Sequence, residues 1–471
     1  MFKAVQLSAM TWRSLIAHSD RAAVAVLMSA LAAAFSNVFS GSFQFDDYHV
    51  IVREASAHSL SAWWRSQPGI RPLLKLSYAL NHESDWGLAG FHAVNLGIHA
   101  INTVLVFMML GKLSAVQADP RQQRLAAFFA AALFALHPVQ TEAVTYVSGR
   151  STSLAAMFGL LSIVLWLHGR ERGRAWATQW ASPLALCVAL ACKEFAMVVP
   201  AALLLCARVQ SGERGWLRSA WRDARIHGFV VALALAAACS VPRYRMLLDA
   251  SLGTRDIASN LLTQANAVSY LVGQLLSLDA MNADPAMAAV SAVDGASVTF
   301  AAAWLAAILW ALMAAPRHRV ASFAVLWFVV WLAPTNSILP RLDVVNDRQL
   351  YVAMIGPAFG LASWAVRRMP SKPQAWVLPA ICIALGCATW QRNLVYADEV
   401  AYWHDVAAKS PHNARAFANL GHALVLQGRN KDALAAFDVA VVLDPALYQA
   451  VINRRLLIDA MSGPGLRQAR S

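Results

Sequence analysis

The sequence predicts an all-α, polytopic membrane protein with a small helical module at its C-terminal end. Three observations predict it. Of 471 residues, 58% are hydrophobic and only 14% charged, with a mean hydropathy of +0.48; a soluble protein would be nearer a quarter charged. The apolar excess arrives in blocks of about 17 to 25 residues, the length at which a helix crosses a hydrocarbon core. From Ala414 the chain follows instead a repeat pattern of paired helices.

Eleven spans follow from the apolar blocks: 22–40, 91–111, 125–144, 150–167, 176–192, 195–208, 228–242, 298–315, 320–338, 351–366 and 374–390. The short segments 176–192 and 195–208 read as a hairpin or a partly re-entrant pair. The N-terminal stretch sets basic residues before a full-length span, which reads as a signal-anchor and not a cleavable signal. Charge fixes the sidedness. With the N-terminus cytoplasmic, the inside segments hold Lys3, Arg13 and Arg21, then Lys112, Arg121 and Arg124, then Arg170, Arg172 and Arg174. Arg208, Arg214, Arg218, Arg222 and Arg225 follow, then Arg317 and Arg319, then Arg367, Arg368 and Lys372. These make about half of the chain's 39 lysines and arginines, and the positive-inside rule is obeyed at each segment. The net charge of +13 therefore records topology, and nucleic acid is not an expected partner.

The same count puts the first loop (41–90), the loop 243–297, the segment 339–350 and the tail from Gln391 on the outer face. In a bacterium this is the periplasmic side of the inner membrane. The expected division is a membrane domain over 1–390 and a periplasmic helical domain over 391–471. The six cysteines all fall inside apolar segments, without partners at metal-ligand spacing, and read as small buried hydrophobes.

In the tail, "ARAFANLGHALVLQGRNKDALAAFDVAVVLDPAL" places Phe417, Leu420, Gly421, Leu424, Ala433, Phe437, Ala440 and Pro445 at the marked positions of the tetratricopeptide (TPR) repeat. Small residues let two antiparallel helices approach, and large ones fill the gap between them. A helix before (Glu399–Lys409) and one after (Ala446–Met461) extend this to about one and a half repeats. Two roles are open: packing on the membrane part to hold the outer loops, or docking of an acceptor.

The outer segments combine acids near the membrane surface with cations that topology does not ask for. Asp46 and Asp47 follow the first span in "SFQFDDYHVI", with Arg53, Arg65, Arg71 and Lys75 further along the loop. His137 stands in "LHPVQTEAVTYVSGRS" with Glu142 and Arg150; Lys193 and Glu194 form the turn "ACKEF"; "NDRQLY" supplies Asp347, Arg348 and Tyr351. Outer-face cations at this depth suit the phosphate or diphosphate of a lipid carrier. Moving a sugar from such a phosphate needs a base for the acceptor hydroxyl and cations for the leaving phosphate. Each residue has a plainer reading too. The Asp pair can cap a helix, His137-Pro138 can terminate one, Lys193-Glu194 can form a local salt bridge, and Arg348 can snorkel.

The stretches "FQFDDYHVI", "ALHPVQTEAVTYVSGRSTSLAA", "ACKEFAMVVPAALLL" and "NDRQLYVAMIGPAFG", followed by the repeat, resemble in order the transmembrane and tetratricopeptide repeat-containing (TMTC) protein O-mannosyltransferases and their bacterial relatives. The likeness runs nearly the whole chain, although animal members carry a longer repeat array. It implies a GT-C glycosyltransferase: a multispanning enzyme with an acidic motif in its first outer loop and a polyprenyl-phosphate sugar as donor. It implies a protein or glycan acceptor, Asp46 as preferred base with Asp47 orienting it or the acceptor, and Lys193 and Arg348 on the donor phosphate. Arg150 and Tyr351 are grouped with these as donor-phosphate residues, and His137, Glu142, Glu194 and Asp347 as supporting. No metal or other cofactor is required, although Glu142 or Asp347 could serve a divalent ion. The rival readings are transfer of an oligosaccharide from a lipid diphosphate, a membrane-anchored repeat scaffold, and a transporter, which the few ionisable residues mid-span and the lack of a repeated half argue against.

Overall fold

The computed structural model describes residues 20–114, 119–210, 215–314 and 317–462. Lys3, Arg13, the rest of the signal-anchor reading before residue 20, and Arg214 lie outside the described residues. Among the described residues the secondary structure is helical, with no strand.

Six helices are long and apolar enough to cross a membrane: Arg21–Ser40, Gly87–Leu113, Val147–Glu171, Trp216–Ser240, Gly295–Ala314 and Ser371–Leu394. Two more expected spans are each broken. Pro120–Leu136 meets Pro138–Val144 at 52°, and Asp347–Ala353 meets Ile355–Arg368 at 55°. The first break has a local cause: His137 precedes a proline and is extended (φ −74°, ψ 130°), because the proline ring disfavours helical backbone before it. The expected spans 176–192 and 320–338 appear as shorter apolar helices, Ala177–Cys192 and Arg319–Leu332. The span 195–208 becomes Val199–Gln210, only 12 residues long. The eleven expected crossings thus resolve into six full-length helices, two bent pairs and three short pieces.

The expected loop 243–297 is largely helical, with Pro242–Leu252 and Ile257–Leu276. Polar residues keep the second below the apolarity of a span, and its contacts keep it at one end of the bundle. Asn260 Nδ2 donates to the Ser337 and Ile338 carbonyls, and Leu275 O lies 3.2 Å from His137 Nε2. The first loop likewise holds Leu60–Arg65 and Pro72–Glu83.

Val147–Glu171 is the most buried of the long helices, whereas Trp216–Ser240, Gly295–Ala314 and Ser371–Leu394 turn most of their apolar surface outward. Phe229, Leu233, Trp376 and Ile383 are all exposed there. An apolar girdle of this extent on a polytopic chain is covered by lipid, and the protein is a membrane protein. Cys192 and Cys206 are buried as expected, but Cys187, Cys239 and Cys387 lie on exposed faces of these apolar helices; all six cysteines are free.

After Leu394, four helices (Glu399–Lys409, Ala414–Leu426, Asn430–Leu443 and Tyr448–Met461) pack on the bundle end that carries the first loop. Gly421 meets the Phe437 ring so closely that a Cβ there would lie 2.7 Å from it. One apolar cluster runs from Tyr146 in the bundle through Tyr396, Tyr402 and Trp403 to Leu457 in the last helix.

Candidate functional site

The two helix breaks stand side by side and build the site. The first brings the buried Glu142 to the end of the bundle, and the second brings Arg348. The Arg348 backbone N–H donates to Glu142 Oε2 at 2.9 Å, and its Nε lies 3.6 Å from Oε1. Asp46 Oδ2 approaches the same guanidinium, 3.7 Å from Nη2. The Tyr146 ring lies below, its centroid 5.8 Å from the guanidinium carbon. A hydrogen bond from the Asp46 N–H to the Tyr146 hydroxyl, 2.9 Å long, fixes the first loop on this ring.

Asp46 and Asp47 are adjacent and differently placed. The Asp46 side chain keeps 39% of its surface exposed. Asp47 is fully buried; Oδ2 accepts the Gln44 N–H at 2.9 Å and Oδ1 the Ser148 N–H at 2.7 Å. Burial pushes the Asp47 carboxyl up to about 7, against the pull of those two hydrogen bonds. Both its oxygens are committed to backbone, so Asp47 ties the first loop to the turn that starts the Val147–Glu171 helix. The turn is tight: Phe45, just ahead, has φ 37°, the left-handed region that a bulky residue enters only when its surroundings hold it there. The holding groups come from the tail. Trp403 packs edge-on at 5.3 Å, Arg415 lies 5.6 Å from the Phe45 ring centroid, and Tyr396 O accepts the Ser42 N–H. Arg415 is itself anchored by Asp284 at 2.6 Å and Asp343 at 3.0 Å.

Beside Arg348 opens a cavity of about 640 Å³. Four cations line it, Arg71, Lys193, Arg341 and Arg348, facing apolar residues that include Phe195, Val198, Trp331 and Ile338. Lys193 leaves the Ser182–Cys192 helix in an extended conformation, and its Nζ donates to Thr152 Oγ1 at 2.7 Å and Ser151 Oγ at 3.2 Å. Burial, then repulsion from Arg348, Arg71 and Arg341, pushes its pKa well below the ordinary lysine value. An anion in the cavity would reverse that repulsion. Glu194 would be raised by burial, but the Arg71 fork and the Tyr244 hydroxyl hold it down to about 2. Two more lining groups are unsatisfied: neither polar atom of the Gln349 side chain, nor Asn346 Oδ1, has a hydrogen-bond partner. Buried polar atoms are rarely left so, and a polar ligand would satisfy them.

The cavity therefore gathers Lys193, Glu194 and Arg348, with Asp46 and Glu142 at the Arg348 edge. Two of the expected phosphate contacts are elsewhere. Arg150 is fully buried and spends its guanidinium on Asn95 Oδ1, Asn81 Oδ1 and the Ser77 and Phe91 carbonyls, between the Tyr78 and Phe91 rings. It is a bundle cross-link and does not reach the cavity. Tyr351 is also buried, with its hydroxyl bonded to Asn102 Nδ2 and His99 Nδ1. His137 takes its plainer reading: Nδ1 accepts the Val139 N–H and caps the break. Asp347 is buried with one oxygen unpaired and does not line this cavity. Among the described residues no three His, Cys, Asp or Glu side chains are grouped to hold a metal ion.

Arg341 was absent from the expected site. Its signal is in the sequence, since it is a cation in a segment expected on the outer face, where the positive-inside rule asks for none. Arg71 carried the same signal without being chosen.

No family model matches the chain. Among curated proteins, Protein O-mannosyl-transferase TMTC4 of Mus musculus is 26% identical over 85% of this chain. Protein O-mannosyl-transferase Tmtc2 of Drosophila melanogaster is 33% identical over 37% of it, and Protein O-mannosyl-transferase F38B6.6 of Caenorhabditis elegans is 32% identical over 31%. The matches span 63%, 20% and 23% of those proteins' own lengths, less than two thirds in each case.

Proposed function

We propose, from the premise that this chain is a TMTC-like membrane protein, that it is a GT-C type glycosyltransferase. It moves a mannose-like sugar from a polyprenyl-phosphate donor to a hydroxyl of a protein or glycan on the periplasmic face of a bacterial inner membrane. The observation that carries this reading is the pairing of a four-cation cavity with an exposed carboxylate, Asp46, at the Arg348 edge.

In the reaction, the donor phosphate lies against Lys193, Arg341 and Arg348, with its polyprenyl chain along the apolar wall. Asp46 takes the proton of the acceptor hydroxyl as that oxygen attacks the anomeric carbon. The bond from that carbon to the phosphate oxygen breaks, and the phosphate keeps the electron pair, stabilised by the cations. One displacement inverts the configuration. Asp47, committed to backbone, positions the turn that presents Asp46. Every step uses protein side chains.

A diphosphate-linked donor is the second reading, favoured by the number of cations; against it, Arg71 is neutralised by Glu194. The test is radiolabelled sugar transfer to envelope protein by the purified chain, from polyprenyl-phosphate mannose and from a polyprenyl-diphosphate saccharide in parallel. Transfer from the monophosphate, lost in Asp46→Asn with the protein still monodisperse, supports the proposal. Undiminished transfer by Asp46→Asn would sink it. Label moving only from the diphosphate would select the second reading.

A further inference from the structure

A second cavity, of about 840 Å³, lies at the other end of the Arg319–Leu332 and Ile355–Arg368 helices. We propose that it binds an anionic phospholipid, with the lipid phosphate among Arg317, Arg319, Arg367 and Arg368 and an acyl chain in the groove between the helices.

The four arginines come from two separate connections. Arg317 precedes the Arg319–Leu332 helix and Arg319 begins it, and Arg367 and Arg368 end the Ile355–Arg368 helix. The positive-inside rule explains why each connection carries cations. It does not require cations from two distant connections to converge on one cavity. None of the four is in an ion pair with a carboxylate among the described residues. By contrast, Arg170 and Lys112 at the same end are paired, with Asp223 and Glu171. Four guanidinium groups without counter-charge on one hollow form an anion site, and guanidinium forks suit phosphate oxygens.

The remaining lining selects the kind of anion. Val320, Ala324, Val325, Pro357 and Leu361 give the cavity an apolar floor that a soluble anion would not use. Trp310 and Trp364 flank it and are exposed at 43% and 60%; tryptophan favours this headgroup depth. No Asp or Glu lines the cavity, so the positive charge of a zwitterionic headgroup would find no carboxylate to pair with. A phosphate head, an apolar chain and no ammonium describe an anionic phospholipid such as phosphatidylglycerol.

The test uses the full chain, purified and delipidated in a non-ionic detergent, with bound lipid counted by native mass spectrometry. Phosphatidylglycerol and phosphatidylcholine of identical chains compete on wild-type protein, and inorganic phosphate serves as a third probe. Phosphatidylglycerol should be retained over phosphatidylcholine by about tenfold, the effect of roughly 1.4 kcal/mol, and millimolar phosphate should not displace it. Arg317→Gln with Arg367→Gln should remove the preference, whereas Arg172→Gln with Arg174→Gln, at the same end but outside the cavity, should keep it. Equal retention of the two lipids, or displacement by inorganic phosphate, overturns the proposal on wild-type protein alone, without reliance on any variant's folding. Equal losses in the two double variants also overturn it, because they would mean unspecific attraction to a basic surface. No residue lines both cavities, so either result leaves the sugar-transfer reading standing or falling on its own assay.

Discussion

The cavities at the two ends of the bundle differ in how their cations are held. Of the four cations lining the first-loop cavity, Arg71 and Arg348 are ion-paired, whereas Lys193 and Arg341 have no carboxylate ion pair among the described residues. At the first-loop end, Arg71 is held by Glu194, Arg348 by Glu142 and Asp46, and Arg415 by Asp284 and Asp343. At the other end, the four arginines round the larger cavity have no carboxylate partners among the described residues. Paired cations are fixed in direction before any ligand arrives, which suits stabilising charge that develops during a reaction. Unpaired cations suit a headgroup that has only to be held. Under the two proposals, the first-loop cavity is a site for chemistry and the larger cavity a site for binding.

The sharpest way to break the comparison is to remove a carboxylate from the organised end. Asp46→Asn should lower sugar transfer by about 10²–10⁴, the range for loss of a general base, in an assay with donor saturating. Arg367→Gln at the other end should leave transfer unchanged. If the two variants fell equally, the ends would not be functionally distinct. Next in size is Lys193→Met, which removes one stabiliser of the leaving phosphate and should cost about 10²–10³ in kcat/KM.

A smaller effect should come from the tail. Arg415→Ala releases Phe45, the residue that sets the direction of Asp46, without touching either reacting group. Transfer should fall by less than about 10², the cost of misplacing a group from a distance, and mainly in kcat, with donor KM preserved. Arg415→Lys keeps the ion pairs with Asp284 and Asp343 and should recover part of the loss. A fall confined to acceptor KM would instead make these helices a docking surface.

Much of this organisation was legible in the sequence. Composition and block length gave the helical membrane class, and the charge rule marked which cations needed another explanation. That rule singles out Lys193 and Arg348 and applies equally to Arg341, whereas Asp46 stands out as an acid just after an apolar span. Two kinds of information were not legible. Arg150 sits in a motif among site residues, yet a buried arginine saturated by Asn81, Asn95 and two carbonyls looks the same in sequence as one facing a phosphate. Hydropathy does not show the breaks at His137 and Met354 as bends, although Pro138 marks the first as a candidate helix end. These kinks are what bring Glu142 to Arg348. The helices within 242–276 look like loop in the sequence because polar residues interrupt their apolar faces.

The smallest effect separates the two aspartates by pH. Burial raises Asp47 from its ordinary value of 3.8 to about 7, so folding favours its protonated form. Its contribution to stability is full below about pH 4 and is lost as pH rises through about 7. Glu194 has the opposite sign: held at about 2, it contributes above its ordinary 4.5 and loses that contribution as pH falls towards 2. Asp47→Asn leaves one of the two backbone N–H groups, on Gln44 or Ser148, without an acceptor and should cost about 1–3 kcal/mol, lowering the unfolding midpoint throughout. It should also abolish the decline in midpoint that wild type shows between pH 4 and pH 7, whereas Glu194→Gln should keep that decline and destabilise the protein most at neutral pH. Thermal unfolding in detergent across that range reads both signs. If Asp47→Asn kept the wild-type decline, Asp47 would be ionised throughout. Another group would then carry the decline, and Asp47 would hold its two backbone N–H groups as a carboxylate at every pH tested.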